Sequence, residues 1–290
     1  VGKVIWEVAS GFDPEAIIAM QTWSLREAIT RTFPQDRLLL LDLGGWNVEK
    51  FNSFWNYPYV AGVLHNYGGR VYMGGNLALY AKNAHELKQS PKGGNIQGIG
   101  LFPEAIEHNP VVYELSTEIT WMQDAPDLQK WITDYARARY GKLPAGAEQG
   151  WKVLLETVYG SKAGRLPSTE SVMCARPALT IQKVAANGDL SRPYSTVRLW
   201  DAVDHFLQAS NDLKKSDTYR YDLVDVMRQC LSDLSLPLQK QITEAYLAED
   251  NEKLQQAGEQ FLALIDDFDR LLGTRSTFLL GKWIKEARQW

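Results

Sequence analysis

The first third of the chain alternates short apolar segments with loops and short amphipathic segments. Four segments are apolar almost throughout, a pattern typical of strands covered on both faces, as in a parallel sheet. They are Ile17–Trp23, Arg37–Leu43, Tyr59–His65 and Ile96–Phe102. Two intervening segments, Leu25–Arg31 and Leu77–Asn83, are predicted to be helices. The succession of strand, loop and helix predicts an α/β fold.

From residue 111 onward, apolar residues recur every three or four positions, which predicts amphipathic helices. A loop over residues 161–193 interrupts this pattern. Pro237 is expected in the first turn of its helix, where its missing N–H group costs no hydrogen bond. The predicted helices are Val111–Trp121, Leu128–Tyr140, Gln149–Tyr159, Val197–Leu213, Tyr219–Leu234, Pro237–Ala248, Asn251–Leu272 and Ser276–Trp290. An all-α part is therefore predicted to follow the α/β part.

Only four strands are predicted before the chain becomes helical, which is half the number in a (β/α)8 barrel. A half barrel would expose two unpaired sheet edges, which is unfavourable in solvent. Either the sheet is a small open one, or the first half of a barrel precedes Val1. The sequence starts without Met, and Val4, Ile5 and Val8 already resemble the interior of an element. This start favours half of a (β/α)8 TIM barrel followed by an all-α helical domain.

Composition and charge exclude several classes of protein. The chain has 290 residues, 45% of them hydrophobic, which excludes a disordered chain. The 31 basic and 35 acidic residues give a net charge of −4, so no basic surface for nucleic acid is indicated. No apolar stretch approaches the roughly 18 residues of a membrane span. Cys174 and Cys230 are too few for a disulfide framework or a cysteine zinc site.

The sequence is rich in tryptophan, with 10 residues. Flat aromatic rings stack on the apolar faces of pyranose sugars, so this composition points toward sugar binding. Many of the rings can equally belong to the core. Four of them lie at helical spacing and are expected there, namely Trp121, Trp131, Trp151 and Trp200.

Chemically versatile side chains follow the predicted strands, at the edge where active sites of α/β folds lie. In chain order they are Trp23, Asp42, His65, Asn66 and Glu104. If the strands are parallel, these residues meet at one mouth. A carboxylate can attack an anomeric carbon, an amide or imidazole can bind hydroxyl groups, and a ring can cover a sugar. The set therefore indicates a sugar site.

Each of these residues also has a purely structural interpretation. Glu104 can stabilise a helix N-terminus through the helix dipole, and Asp42 can cap a loop through its own backbone. His65 and Asn66 can belong to a turn, and Trp23 to the core. The pattern alone leaves both interpretations open.

Motifs for phosphate, metal and serine-nucleophile chemistry are absent from the sequence. The glycine pairs fit neither a dinucleotide fingerprint nor a phosphate loop. No HExxH motif or close pair of His residues indicates a metal site, and no Gly-x-Ser-x-Gly motif is present. The sequence therefore predicts neither a metal nor a cofactor.

Longer motifs resemble the α-N-acetylglucosaminidases, family 89 of the glycoside hydrolases. The most specific are LHNYGG (64–69) and GIGLFPEAIEHNPVVYEL (98–115). Further similar segments follow in the same order along essentially the whole chain: QTW (21–23), LLLLDL (38–43), CARPAL (174–179), RYDLVD (220–225) and FLLGKW (278–283). The resemblance implies a (β/α)8 barrel between a small N-terminal domain and an all-α C-terminal domain. It predicts the second half of the barrel at residues 1–125 and the all-α domain at residues 126–290.

The resemblance also implies an activity. Family members release terminal, non-reducing, α-linked N-acetylglucosamine by a retaining mechanism, and their nucleophile is the Glu of a PE-G-I motif, which corresponds to Glu104. Their acid/base Glu lies on an earlier strand, upstream of this chain. The chain alone is therefore expected to be incomplete and inactive. Ala105 stands where the family commonly has Gly, which would strain the loop if that position needs a positive φ.

The resemblance implies that the sugar pocket is lined by Trp23, His65, Asn66 and Tyr113. Further substrate-binding residues are expected from their positions, namely Asp42, Cys174, Arg176 and Tyr194. The expected partners are a glycan with a terminal α-linked N-acetylglucosamine and the missing N-terminal half of the same enzyme. Neither a nucleic acid nor a membrane span is expected. The family suggests a secreted, periplasmic or lysosomal location. Because the sequence contains no Asn-x-Ser/Thr sequon, a bacterial secreted or periplasmic protein is favoured.

Three hypotheses follow. The chain is the C-terminal part of a working glycosidase, or it is a catalytically silent sugar-binding or scaffold fragment, because one of two required carboxylates is absent. A helical interaction module is the third. It would need an exposed apolar groove in residues 197–290, where Trp200, Phe206 and Trp283 are expected to close a core instead.

Overall fold

Four parallel strands form one sheet near the start of the chain. The structure, a computed structural model, describes residues 1–45, 47–66, 72–104, 108–160, 170–184 and 190–290. Two compact units are present. The first contains Val1–Gly69 and Asn76–Leu128, and the second contains Arg70–Gly75 and Gln129–Trp290. The predicted boundary after residue 125 stays a prediction.

The sheet has the strand order β1-β2-β3-β4, and every neighbouring pair is parallel. The strands are β1 (Ile18–Gln21), β2 (Leu38–Asp42), β3 (Tyr59–His65) and β4 (Ile96–Pro103). The four predicted strands are therefore confirmed. Strand β1 is shorter than predicted, so Trp23 lies beyond its end. Strands β3 and β4 pair from Tyr59 with Ile96 to His65 with Pro103.

A cluster of apolar side chains lies along β2 and β3. Leu38 and Leu40 alternate with less buried neighbours along β2, and both are fully buried. They pack in one cluster with Phe54 and Tyr59, whose rings lie 4.9 Å apart. This packing covers the face of β2 that carries Leu38 and Leu40.

In its described residues the first unit contains the helices α1 (Gly2–Phe12), α2 (Glu27–Thr30), α3 (Asn47–Lys50), α4 (Leu77–Gln89) and α5 (Pro110–Glu118). Short 3₁₀ turns lie at Asn52–Asn56 and Ile119–Trp121. Helix α4 begins where the Asn76 side chain accepts a bond from the amide of Leu79. It extends beyond the predicted end because Ala81 and Ala84 continue its buried face. Trp121, expected in the core, is 90% exposed because it closes the last turn after α5.

The second unit is helical in its described ranges, which confirms the predicted change from α/β to all-α. Its helices are α6 (Leu128–Tyr140), α7 (Ala145–Glu156), α8 (Thr196–Gln208), α9 (Ser210–Leu213), α10 (Asp217–Leu247), α11 (Asn251–Leu272) and α12 (Leu280–Ala287). Further 3₁₀ turns lie at Val172–Cys174 and Ser276–Phe278. No helix in the described ranges is long and apolar enough to cross a bilayer.

Helix α10 corrects the expectation that Pro237 begins a separate helix. The helix runs through Pro237 without interruption. A proline inside a helix removes one main-chain hydrogen bond and crowds the carbonyl four residues earlier. In the turn before Pro237, the Ser235 hydroxyl donates a hydrogen bond to the Ser232 carbonyl. The buried flanking residues Ser235 and Gln239 show that tertiary packing overrides the local preference.

Aromatic residues form the centre of the second unit. Trp131 and Trp151 are buried, as predicted, whereas Trp200 is half-buried. The ring of Trp151 meets that of Tyr135 edge-on at 5.0 Å, and Phe206 lies against its other side. Trp283, expected to close a core, is 44% exposed because α12 has no buried residue.

A buried ion pair, Arg139 with Asp222, lies in the same unit. The Arg139 guanidinium donates to both carboxylate oxygens of Asp222, at 2.7 and 2.8 Å. The Tyr140 hydroxyl also donates to Asp222, and the Trp151 indole donates to Tyr140. The carboxylate is therefore surrounded by donors, which offsets the cost of removing its charge from water.

Replacement of Asp222 tests this arrangement. Asp222→Ala should lower the free energy of unfolding by about 3 to 5 kcal/mol, because the Arg139 charge would remain buried without its carboxylate. Urea denaturation followed by far-UV circular dichroism measures the change. Asp201→Ala is the matched control, since Asp201 pairs with Arg198 at the surface and its loss should leave the midpoint almost unchanged. Equal effects of the two substitutions would contradict the expectation.

Candidate active site

The ends of the four strands bring the predicted site residues to one edge of the sheet. Trp23 follows β1, and Asp42 is the last residue of β2. His65 is the last residue of β3, and Glu104 directly follows β4. Because all four strands are parallel, these positions lie at the carboxyl edge. This is the edge that carries the active site in barrel enzymes.

Glu104 lies beside His65. Its main-chain amide donates to the His65 carbonyl at 3.2 Å, which continues the ladder between β3 and β4 by one bond. The residue is exposed, and Pro103 before it pairs with His65. A carboxylate held on a paired strand end and open to solvent can be reached by a ligand. Ala105 lies outside the described residues.

His65 is a buried imidazole. Its ring meets the Tyr113 ring edge-on at 5.7 Å, and the His108 ring lies 6.3 Å away. Burial, and secondarily the neighbouring His108, lowers the pKa of His65 to about 3. His65 is therefore neutral near pH 7, where it can donate or accept a hydrogen bond but carries no charge.

Asn66 directly follows β3. Its φ of 58° lies in the left-handed region, which Asn tolerates better than most residues. The buried side-chain amide nitrogen donates to the Tyr113 hydroxyl. Tyr113 is delivered by α5, which has Pro110 in its first turn after Asn109 at its N-terminal boundary. The bond orients the Asn66 amide beside His65.

Asp42 joins the ends of β1 and β2 to the following segment. Its buried carboxylate accepts from the Thr22 hydroxyl at 3.1 Å and from both the main-chain amide and the side-chain nitrogen of Asn47, each at 3.1 Å. The Asn47 side chain also donates to Thr22 at 3.0 Å. Thr22 adjoins Trp23, so this network supports the strand end that carries the ring.

Thr22 and Asn47 did not emerge from the sequence as site residues. Thr22 lies within the QTW segment, which is the one signal that could have identified it. Asn47 is the first residue of α3, five positions after Asp42, and this spacing carries no signal for their hydrogen bond. Trp23 is 44% exposed, so much of its side-chain surface is accessible to a ligand.

Three predicted substrate-binding residues lie in the second unit. Cys174 and Arg176 are exposed. The Tyr194 hydroxyl donates to Asp233 at 2.8 Å, and burial together with Asp233 raises the pKa of Tyr194. Desolvation around the Cys174 thiol raises its pKa, which favours the protonated form. The roles of these residues in binding stay predictions, as do those of the residues at the sheet edge.

Metal-ligating side chains are dispersed in the described part of the chain. No group of three or more His, Cys, Asp or Glu residues comes together there in a way that could hold an ion. The sheet edge presents the carboxylates of Asp42 and Glu104, together with neutral hydrogen-bonding groups and aromatic rings.

The lowered pKa of His65 predicts a pH dependence of stability. The unfolded chain takes up a proton on His65 near pH 6.5, whereas the folded protein does so only near pH 3. The unfolded state therefore binds more protons in this window, and stability falls as the pH is lowered. His65→Gln should reduce this slope by up to about 1.4 kcal/mol per pH unit. Urea denaturation at pH 6.5 and 4.5 measures how the free energy of unfolding changes with pH in each variant. An equal change in the wild type and in His65→Gln would contradict the lowered pKa of His65.

Comparison with known proteins shows which protein family this chain resembles. The model of the alpha-N-acetylglucosaminidase (NAGLU) tim-barrel domain matches residues 1–123. The model of the alpha-N-acetylglucosaminidase (NAGLU) C-terminal domain matches residues 131–290. The human alpha-N-acetylglucosaminidase is 29% identical to this chain over 301 residues. That match covers 98% of this chain and 39% of the human protein.

Solved structures give the same relationship. The family 89 glycoside hydrolase from Clostridium perfringens in complex with PUGNAc matches with a TM-score of 0.92 and 28% identity. A form of the enzyme from the same organism in complex with its substrate, GlcNAc-alpha-1,4-galactose, also gives a TM-score of 0.92 and 28% identity. Each match covers 99% of this chain and 33% of the other chain.

These matches agree with the four-stranded parallel sheet and the helical unit. The chain spans about a third of the solved relatives and 39% of the human one. Its fold is part of a (β/α)8 barrel followed by a helical domain, as predicted. The chain belongs to the alpha-N-acetylglucosaminidase family of glycoside hydrolases.

Proposed function

We propose that this chain forms part of a retaining exo-glycosidase that releases terminal, non-reducing, α-linked N-acetylglucosamine from glycans. The observation that carries the proposal is the position of Glu104 directly after β4, bonded through its main chain to His65. In barrel glycosidases a carboxylate at the carboxyl end of a strand is the group that reacts with the sugar. Membership of the family supports the same assignment.

The proposed nucleophile is the carboxylate of Glu104. One of its oxygens attacks the anomeric carbon from the face opposite the leaving group, and the bond from that carbon to the glycosidic oxygen breaks. A second carboxylic acid donates its proton to the departing oxygen, at roughly 5 Å from the first in retaining enzymes. Water, deprotonated by the same second residue, then attacks the anomeric carbon and frees Glu104. The product keeps the configuration of the substrate.

The second carboxylic acid is proposed to come from a part of the enzyme that precedes this chain. The Clostridium perfringens relative in complex with its substrate carries Gln in place of Glu at two positions. That pair of substitutions supports a mechanism that uses two carboxylates. On this proposal the chain by itself does not turn over substrate, because an enzyme with one of the two carboxylates cannot both attack and protonate.

The sugar is proposed to lie between Trp23 and the cluster of His65, Asn66 and Tyr113. The exposed ring of Trp23 offers an apolar surface for the sugar ring. His65 and Asn66 supply uncharged hydrogen-bonding groups for hydroxyl or acetamido groups. Asp42 supports this pocket through Thr22, and direct contact of Asp42 with the sugar stays a prediction. So does the contribution of Cys174, Arg176 and Tyr194.

The proposed partner is the first half of the barrel. Strands β1 and β4 form the two edges of the sheet, and neither has a second strand beside it in the described residues. Helix α1 exposes a row of apolar side chains, namely Val4, Ile5, Val8 and Phe12. Unpaired strand edges and exposed apolar faces are unfavourable in solvent, so a further α/β segment is proposed to cover them.

The proposed substrate is a glycan that ends in α-linked N-acetylglucosamine. The complex of the bacterial relative with GlcNAc-alpha-1,4-galactose supports this class of ligand. A secreted, periplasmic or lysosomal location fits such an activity. The absence of Asn-x-Ser/Thr sequons favours a bacterial secreted or periplasmic protein.

Substitution of Glu104 tests the nucleophile in the enzyme that combines this chain with the preceding barrel half. Glu104→Gln should lower kcat on an aryl α-N-acetylglucosaminide by at least a factor of about a thousand, because the amide cannot form the glycosyl ester. Glu86→Gln, on the exposed face of α4, is the matched control and should keep full activity. Survival of activity within about tenfold would remove Glu104 as the nucleophile.

Azide rescue tests the same role through the product. In Glu104→Ala, added azide should occupy the vacated space and attack the anomeric carbon from the same face. The expected product is the β-glycosyl azide, identified by NMR. Formation of the α-glycosyl azide would instead assign Glu104 to the acid/base role.

Mixing experiments distinguish two hypotheses, that the chain is part of a working glycosidase or that it is a catalytically silent fragment. The chain alone should not hydrolyse the aryl glycoside, and co-expression with the preceding barrel half should restore turnover. A mixture that binds 2-acetamido-1,2-dideoxynojirmycin, the ligand in another structure of a family 89 glycoside hydrolase from Clostridium perfringens, but never turns over substrate would favour a sugar-binding or scaffold fragment.

A further inference from the structure

Strands β3 and β4 place two glycines side by side on one face of the sheet. In their pairing Gly62 lies beside Gly100, and two residues further along Leu64 lies beside Phe102. Side chains alternate between the two faces of a strand, so both glycines share a face with Phe102, whereas Leu101 points to the opposite face. This pair of glycines, the glycine recess, leaves a site without side chains one pleat before Phe102.

The ring of Phe102 occupies the glycine recess. A methyl group on Gly62 would lie 2.5 Å from Cε2 of the Phe102 ring and 2.5 Å from the main-chain oxygen of Asp42. A methyl group on Gly100 would lie 2.9 Å from Cζ of the same ring and 2.8 Å from Cγ1 of Val60. Carbon atoms pack at about 3.5 to 4.0 Å, so a side chain at either glycine would displace the ring.

Gly98 differs from the glycines of the recess. It lies on the same face of β4, two residues before Gly100, but a methyl group there would meet no described atom within 4 Å beyond its chain neighbours. Neither Gly98 nor Gly100 has a positive φ, so the backbone conformation does not require glycine at either position. Close contact with the Phe102 ring is therefore the structural reason for glycine at position 100.

Glu104 continues the face of β4 that carries Phe102. It follows Phe102 by two residues, and its main-chain bond to His65 extends the pairing of the strands by one step. At roughly 3.3 Å per residue, the two side chains leave the strand about 7 Å apart. Phe102 is only half-buried, so part of its ring is open. The ring thus provides an apolar surface one pleat below Glu104.

We propose that Phe102 is the floor of the sugar pocket, and that the glycine recess keeps its ring low enough to leave room for the sugar beside Glu104. The inference rests on the proposed function and adds a binding residue to it. The apolar face of the terminal sugar rests against the ring, as pyranose rings do on aromatic side chains. Loss of the ring removes this contact, and a raised ring obstructs the sugar.

Kinetics of the combined enzyme test the floor. Phe102→Ala should raise KM for the aryl α-N-acetylglucosaminide about tenfold and leave kcat within about threefold, because a contact made already in the bound ground state is lost. The dissociation constant of 2-acetamido-1,2-dideoxynojirmycin, measured by calorimetry, should rise in parallel.

Leu101→Ala is the matched control for the floor. It removes an apolar side chain from the neighbouring position on the opposite face of β4, so it should keep KM and the dissociation constant even where it lowers stability. Unchanged binding in Phe102→Ala, or an equal loss in Leu101→Ala, would overturn the floor.

Gly100→Ala tests the recess in the same enzyme. The new methyl group should push the Phe102 ring toward the sugar and raise KM about tenfold. In the double variant Gly100→Ala/Phe102→Ala, KM should equal that of Phe102→Ala alone, because no ring remains to be displaced. Two effects that multiply in the double variant would overturn the link between the glycine and the ring.

Urea denaturation of the chain as given tests the recess without a ligand. The midpoint should fall in Gly100→Ala and stay near the wild-type value in Gly98→Ala. The effect of Gly100→Ala should be much smaller in a Phe102→Ala background. Equal midpoints of the two glycine variants would overturn the recess. A wild-type combination that neither binds nor hydrolyses the sugar would contradict the proposed function and the floor with it, whereas the midpoints decide the recess independently.

Discussion

The parallel pairing of β3 with β4 is the constraint on which the candidate site depends. Parallel strands end at the same edge of a sheet, so residues that are distant in sequence become neighbours there. The register runs to His65 opposite Pro103, and one further main-chain bond joins Glu104 to His65. A slip of one residue would turn every side chain of a strand to the opposite face. The pairing therefore determines where the Glu104 carboxylate can lie.

Buried polar side chains stabilise this edge because each has a specific partner. The Asp42 carboxylate accepts hydrogen bonds from Thr22 and Asn47, and the Asn66 amide donates one to Tyr113. A buried polar group without a partner is costly, so each of these bonds restricts the position of its neighbours. Burial also keeps His65 neutral by lowering its pKa. The result is a site in which the carboxylates of Asp42 and Glu104 lie among uncharged hydrogen-bonding groups.

The second unit uses the same principle over a longer range. Along α10, side chains spaced by one helical turn bind residues from distant parts of the chain, including Arg139, Arg192 and Met73. The stretch around Met73 follows β3 in sequence but packs with the helices.

Much of the architecture could be predicted from local pattern. The four strands, the change to helices after residue 111 and the helices at Leu128–Tyr140 and Asn251–Leu272 agree with the periodicity of apolar residues. Periodicity succeeds because it reflects which face of an element is buried. The residues after the strands were also identifiable, because parallel strands carry their sites at one edge.

Other features depended on contacts that local pattern does not contain. Pro237 continues α10 because buried neighbours outweigh its local preference, and Trp121 is exposed because its turn ends outside the core. The Thr22–Asp42–Asn47 network and the bond from Met73 to Gln229 join residues whose spacing carries no signal. Periodicity therefore sufficed for most of the elements and for the edge where the strands end. The partners of each buried polar group were settled only by folding, since hydrogen bonds between distant residues depend on where the packed elements bring them.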